Sequence, residues 1–318
     1  MASENYRSRC GALFALLLAG CSSVSTSAVA TGAADAGSDT APPPEPSPLI
    51  VARPYDLVVP TGYDAAKPTP LVIALHGYGD GNDGPQLETY FDLTPLANAK
   101  TFLYVYPNAV LDSAKERAWN GTDFCCDFYH KGTDDVGYIR ALIDDVAVHY
   151  NLDPKRVFVT GISGGGVMAH RLACDLSDKI AAVVSLSGAT WNDPAKCKPT
   201  DAVAVVEVHG DDDQVILYTG DADGMQDPSA AAPYPSAHDT VGHWATYDGC
   251  PGTLQPTSVT LDLEVKITGA ETRVDRYEGC AKGAVELWTV QKGPHAPHLN
   301  TDTWGTAIYD FFMAHPKP

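Results

Sequence analysis

Five residues carry the first chemical signal in this chain. Gly161-Ile162-Ser163-Gly164-Gly165 reads G-x-S-x-G and follows the apolar run Arg156-Val157-Phe158-Val159-Thr160. A strand that ends in so tight a turn strains the serine backbone, and small flanking residues remove the Cβ clashes. The serine hydroxyl then stands above the sheet, at the N-terminus of the next helix. A bare G-x-S-x-G also occurs in glycine-rich turns that only link elements. Here a strand-like run precedes it and a helix-like stretch follows. Candidate partners come later in the chain. The buried run Ala202–Val208 leads into His209-Gly210-Asp211-Asp212-Asp213, and Val285–Val290 leads into Gln291-Lys292-Gly293-Pro294-His295-Ala296-Pro297-His298. A hydroxyl is a poor nucleophile at neutral pH. A histidine would take its proton and return it to the leaving alcohol, while an aspartate holds the imidazole tautomer and stabilises the imidazolium. Spacing alone chooses neither among the three adjacent aspartates nor between His295 and His298.

Further segments carry a resemblance. Leu75-His76-Gly77-Tyr78, Trp119-Asn120-Gly121 with Phe124-Cys125-Cys126, Asp134-Asp135-Val136, Asp153-Pro154-Lys155-Arg156-Val157, Leu172-Ala173-Cys174, His209-Gly210-x-x-Asp213 and Gly293-Pro294-His295 run from about residue 53 to the C-terminus. In these the chain resembles the secreted feruloyl esterase, acetylxylan esterase and polyhydroxybutyrate depolymerase family of serine esterases. The resemblance implies an α/β-hydrolase fold, whose triad order is Ser, Asp, His. It selects Asp213 as the acid and His295 as the base. It also implies an oxyanion hole made by the amides of Gly164 and Tyr78, each donor stabilising the transition state by about 3–4 kcal/mol. Two positions depart from the family pattern. Tyr78 stands where Cys or Ser is common, and Ala296-Pro297 where many polyhydroxybutyrate depolymerases have Trp-Pro.

The elements that must position these groups follow from periodicity. Strands are expected at 55–59, 70–76, 101–106, 156–161, 181–187, 202–208 and 284–290, and a hairpin at 261–277, where Leu261–Ile267 alternates. Helices are expected at 134–150, 164–176, 237–247 and 302–314. Strands alternating with helices imply a mostly parallel sheet with helices on both faces. The segment 211–236 is rich in Asp, Gly, Pro and Ala and is expected as a loop beside the site, with 80–98 also folding over Ser163. Trp119, Trp191, Tyr218, Tyr234 and His298 are candidates to contact substrate, although buried aromatics more commonly belong to the core. Asp135 is a candidate brace for the site or a helix N-terminal carboxylate.

At the scale of the chain, 318 residues with 44% hydrophobic content suffice for one large core. A formal charge of 21 − 40 = −19 disfavours nucleic acid and anionic membrane surfaces as partners. The first 21 residues read as a lipoprotein signal: Arg7 and Arg9, the apolar Ala12–Leu18, then Leu18-Ala19-Gly20-Cys21, with Cys21 the lipidation site. Residues 22–50 read as a Ser/Ala/Pro-rich tether and 51–318 as the catalytic domain. The expected location is therefore exported, lipid-anchored at the cell envelope or extracellular, with the membrane contacted only through the anchor and the protein a monomer. Six cysteines remain, at 125, 126, 174, 197, 250 and 280. An even number in an exported chain suggests disulfides. Cys250 pairs first with Cys280, Cys174 with Cys125 or Cys126, and Cys197 with the one left over. No C-x-x-C pair or Walker motif is present, and no metal, nucleotide or other cofactor is expected.

The expected function is an exported serine carboxylic-ester hydrolase, with feruloyl or acetyl esters on plant polysaccharide as the implied substrate and polyhydroxybutyrate as the alternative. A same-fold peptidase, or a surface-binding lipoprotein without catalysis, ranks below both.

Overall fold

The computed structural model describes residues 45–79, 81–227 and 230–318. The signal segment, Cys21 and most of the expected tether lie outside these residues. In chain order the elements are α1 (Pro48–Ala52), β1 (Leu57–Val58), β2 (Thr69–Leu75), α2 (Gly84–Phe91), α3 (Thr94–Lys100), β3 (Leu103–Val105), β4 (Val110–Leu111), β5 (Arg117–Ala118) and α4 (Asp135–His149). They continue with β6 (Leu152–Ile162), α5 (Gly164–Asp175), β7 (Ala182–Leu186), β8 (Ala204–Gly210), α6 (Ala237–Tyr247), β9 (Gln255–Leu261), β10 (Thr272–Tyr277), β11 (Val285–Val290) and α7 (Thr301–Ala314).

Among the described residues the main sheet has nine strands in the order β1-β3-β2-β6-β7-β8-β11-β10-β9. Its middle, from β3 to β11, is parallel throughout, and the edges are antiparallel. The central strands read as continuous apolar runs because both faces are covered. On β2, Leu71, Ile73 and Leu75 pack with α4, α5 and α6, while Val72 and Ala74 pack with α2, α3 and α7. The fold is that of an α/β-hydrolase, as expected. Side-chain caps fix the long helices: Asp134 accepts from Gly137 N on α4, Ser236 from Asp239 N on α6, and Asn300 from Thr303 N on α7.

Three expectations are corrected. Helix α1 begins in the last three residues of the stretch expected as tether and runs two residues past it, and its Ile50 is buried in the core. The hairpin exists, but its first strand is β9, and the alternating residues after Leu261 form the connector. Alternation there reflects two inward side chains rather than a pleat. Leu263 is fully buried, and Glu264 is buried because its carboxylate accepts from Lys266 N and His298 N. The Glu271 carboxylate accepts both the Leu263 and Glu264 amides at 3.0 Å, which holds the connector away from sheet pairing. Among the disulfides, Cys250–Cys280 forms as expected, but Cys174 bonds Cys197, and Cys125 bonds Cys126. Cys174 closes the last turn of α5 and faces the chain returning after a short 3-10 turn, Pro194–Lys196. Cys125 and Cys126 instead sit at the N-terminal end of α5, against Gly164.

Candidate active site

Parallel register brings β2, β6, β8 and β11 to the same sheet edge at their C-terminal ends, where open α/β sheets hold their ligands. β6 ends in the turn at Ser163, whose φ of 56° and ψ of −123° lie in a sparsely populated region. Two backbone bonds hold it there: Ser163 N donates to Leu186 O at 2.8 Å, and Val167 N to Ser163 O at 2.9 Å. Close packing explains the glycines. A Cβ on Gly161 would stand 2.5 Å from Gly165 O and 2.9 Å from Leu75 O, and one on Gly165 would overlap Leu75 O. Ser163 is the N-cap of α5 but makes no side-chain cap bond, so its hydroxyl is left for other use.

His295 follows β11 and lines the same cavity as Ser163. Its Nδ1 lies 2.8 Å from Asp213 Oδ2, so Nδ1–H donates to the carboxylate and Nε2 is left as the basic nitrogen. The other Asp213 oxygen accepts the amides of Val215 at 2.7 Å and Ile216 at 3.0 Å. Burial alone would raise the Asp213 pKa, but the imidazoles of His209 and His295 outweigh it and hold the carboxyl well below its usual range. The neighbouring aspartates are used elsewhere. Asp211 accepts from Lys292 N, and Asp212 is exposed and bonds Gln214. The histidine loop is tied down by Ser187 Oγ donating to His295 O at 2.7 Å and Tyr90 Oη donating to Pro297 O at 2.6 Å.

Opposite the histidine, the loop after β2 runs past the serine. A Cβ on Gly164 would lie 3.2 Å from Tyr78 N, so the backbones of these two residues flank one spot. Gly164 N–H is at the first position of α5, where no intrahelical acceptor exists. Buried His76 fixes the loop. Ala109 N donates to its Nε2 at 3.0 Å, so the proton is on Nδ1, which donates to Gly77 O at 2.7 Å. Burial holds the His76 pKa down at about 4, which keeps the ring neutral. Asp135 braces from one layer further back. Its carboxylate accepts from Arg53 at 2.6 Å and from Asn120 N at 2.7 Å, which anchors the Trp119-Asn120-Gly121 loop.

The cavity between these groups has a volume of about 470 Å³. Its walls are largely apolar, with Tyr78, Phe124, Phe128, Val215, Ile216 and Ala230 prominent. The five substrate-contact candidates lie elsewhere. Trp119 is fully buried, donating its indole N–H to His76 O. Tyr218 backs onto His209, with its hydroxyl bonded to Thr289. His298 is exposed on the far side of its loop beside Glu264. Trp191 and Tyr234 are core residues, Tyr234 stacking behind the lining Phe124. The segment 211–236 does border the cavity, through Val215, Ile216, Asp227 and Ala230. Sequence reading missed Phe124 and Phe128, although they bracket the Cys125-Cys126 pair it singled out. It also missed Glu207, which was visible as a lone carboxylate inside an apolar strand.

The sequence profile of the family described as Phospholipase/Carboxylesterase matches residues 61–222. Feruloyl esterase D of Neurospora crassa is 28% identical over 259 residues, covering 77% of this chain and 74% of that one. Feruloyl esterase B of Piromyces equi is 30% identical over 186 residues, 57% of this chain and 31% of that one. The chain thus spans less than two thirds of the length of several relatives it matches. Among solved structures, an acetyl xylan esterase from Aspergillus awamori superposes with a TM-score of 0.54 at 16% identity, covering 81% of this chain and 92% of that one, a likeness of fold.

Proposed function

The chain belongs to the phospholipase/carboxylesterase family, and from that premise we propose that it is an exported serine carboxylic-ester hydrolase of the feruloyl or acetylxylan esterase type. The observation that carries the reading is the Asp213–His295 pair at 2.8 Å, facing a cavity that Ser163 also lines. In the proposed reaction His295 Nε2 takes the Ser163 proton as Oγ attacks the ester carbonyl. The amides of Gly164 and Tyr78 receive the oxyanion. His295 then gives the proton to the leaving alcohol, and water, activated by the same histidine, releases the acid from the acyl-enzyme.

The shape of the cavity supports the acyl group. Its volume falls within the range of small-molecule sites, and two phenylalanines and a tyrosine offer flat apolar faces to a planar hydroxycinnamoyl group. Relatives named as feruloyl esterases support the same substrate class, with the polysaccharide outside the cavity. Export is supported by the signal-like N-terminus and by disulfides at all six remaining cysteines.

The test is release of ferulate from methyl ferulate by the purified protein, with Ser163→Ala alongside. Release by the wild type, reduced roughly 10⁴-fold or more in the variant, is the expected result. Equal release by both would refute Ser163 as nucleophile. Hydrolysis of acetylated xylan or polyhydroxybutyrate but not methyl ferulate would keep the esterase and refute the hydroxycinnamoyl substrate.

A further inference from the structure

Behind Asp213 a line of buried polar side chains runs into the core, and the proposed reaction makes no use of it. Trp244 Nε1 donates to His170 Nδ1 at 3.0 Å. An indole N–H can only donate, so His170 Nδ1 accepts and its proton is on Nε2. That Nε2 lies 2.8 Å from Glu207 Oε2 and donates to it. Glu207 Oε1 accepts Gly188 N at 3.0 Å and lies 2.9 Å from His209 Nδ1. On the far side of the ring, His209 Nε2 is 2.8 Å from Ile216 O and 3.2 Å from Asp213 Oδ2. His170, Glu207 and His209 are each about 1% exposed or less.

Both nitrogens of His209 therefore face oxygen acceptors. A neutral imidazole would set a bare lone pair against one of them, in a place water does not reach. We propose that His209 is a permanent imidazolium, held between the carboxylates of Glu207 and Asp213, and that it is a positioning residue for the Asp213–His295 pair. Burial works against this charge, but Asp213 and Glu207 outweigh it and push the His209 pKa up to about 10. Glu207 tells the same story from the other side. Burial would raise its pKa, and the bonds from His170 and His209 lower it instead.

The consequence for chemistry is electrostatic. With His209 charged, the Glu207–His209–Asp213 group carries one net negative charge instead of two. Asp213 stays ionised and oriented, and a positive charge behind it opposes a second positive charge on His295. His295 must be neutral to act as base, so the arrangement extends esterase action toward lower pH. Other ionisable groups around the ring do not replace this pairing. Tyr218 meets it edge-on at 5.8 Å, with its hydroxyl turned to Thr289 and to His238 of α6. Asp211, Arg273 and Asp275 face Tyr218 from beyond its ring.

The positioning role rests on the proposed triad, while the charge assignment can be read without any substrate. Long-range ¹H–¹⁵N correlation of the ¹⁵N-labelled protein between pH 5 and 8 reports the imidazole nitrogens, and His209→Gln identifies the His209 signals. The expected spectrum shows both His209 nitrogens protonated throughout. One bare His209 nitrogen at pH 7, with the proton on Glu207, would overturn the assignment whether or not the protein hydrolyses esters. The second measurement is kcat/KM against pH for His209→Gln and for Glu207→Gln, which keeps the ring but removes its counter-charge. His209→Gln leaves the Glu207 and Asp213 carboxylates facing each other and is expected to move the acidic limb upward by about one pH unit, whereas Glu207→Gln removes a negative charge and is expected not to move it upward. An unmoved limb in His209→Gln, or an equal upward shift in Glu207→Gln, with the fold intact by circular dichroism, would overturn the positioning role. A doubly protonated His209 in a protein that hydrolyses no ester would refute the esterase reading and support the charge assignment.

Discussion

At the scale of single residues, the site depends on one strained backbone and a few distances. Ser163 occupies its unusual conformation because β7 holds its amide and the first turn of α5 holds its carbonyl, and because Gly161 and Gly165 leave no side chain in the way. Gly164 is the sharpest test of the oxyanion hole. A methyl group there would stand 2.7 Å from Cys126 Sγ and 3.2 Å from Tyr78 N. Gly164→Ala is expected to displace the Tyr78 amide and lower kcat about 10²- to 10³-fold, the effect of losing one donor. Steady-state kinetics on p-nitrophenyl acetate, with circular dichroism as the folding control, checks this. A variant with wild-type kcat would remove these amides from the mechanism. Asp213→Asn keeps the shape but can favour the wrong His295 tautomer, and a loss of about 10⁴ in kcat is expected. These residue roles were largely legible in the sequence because G-x-S-x-G, H-G-x-x-D and the terminal histidine each sit after an apolar run. The choice among Asp211, Asp212 and Asp213 was legible only by resemblance. It is made physically by the turn in which Val215 N and Ile216 N fix Asp213, while Lys292 N takes Asp211.

At the scale of elements, the central strands and the four long helices were readable because burial on one or two faces imposes a period. Helices α2 and α3 were not, being only eight and seven residues long. β9 is a mostly exposed edge strand of polar residues, and its register comes from pairing with β10 rather than from its own pattern. The pocket wall was illegible for a related reason. Phe124 and Ile216 come from loops far apart in sequence, and nothing local says that they meet. One element end makes a separate prediction. Asp248 caps α6, is 2% exposed, and its Oδ2 has no hydrogen-bond partner among the described residues. Burial raises its pKa to about 7. The folded state therefore binds this proton more tightly than the unfolded chain, so stability falls as pH rises from the ordinary carboxylate range to about 7 and stays lower above it. Asp248→Asn is expected to be more stable than wild type by ~1–3 kcal/mol at pH 8, with the gain vanishing near pH 4. Urea unfolding at the two pH values checks the sign; a variant less stable at pH 8 would contradict it.

At the scale of the molecule, a parallel sheet brings the ends of β2, β6, β8 and β11 together, and the Cys250–Cys280 disulfide ties down the chain between α6 and β11. Cys250 and Cys280 are 30 residues apart in sequence, between the end of α6 and β11. Replacing both with serine is expected to cost about 3–4 kcal/mol through the loop it opens. Thermal unfolding with and without reductant measures this, and reductant should erase the difference between variant and wild type. The central claim, that Ser163 is an activated nucleophile, is tested most directly by a fluorophosphonate probe followed by peptide mapping. One adduct is expected, on Ser163, absent in Ser163→Ala and formed far more slowly in Asp213→Asn. A folded protein that takes no adduct, or takes it on another residue while Ser163→Ala still hydrolyses esters at the wild-type rate, would contradict it.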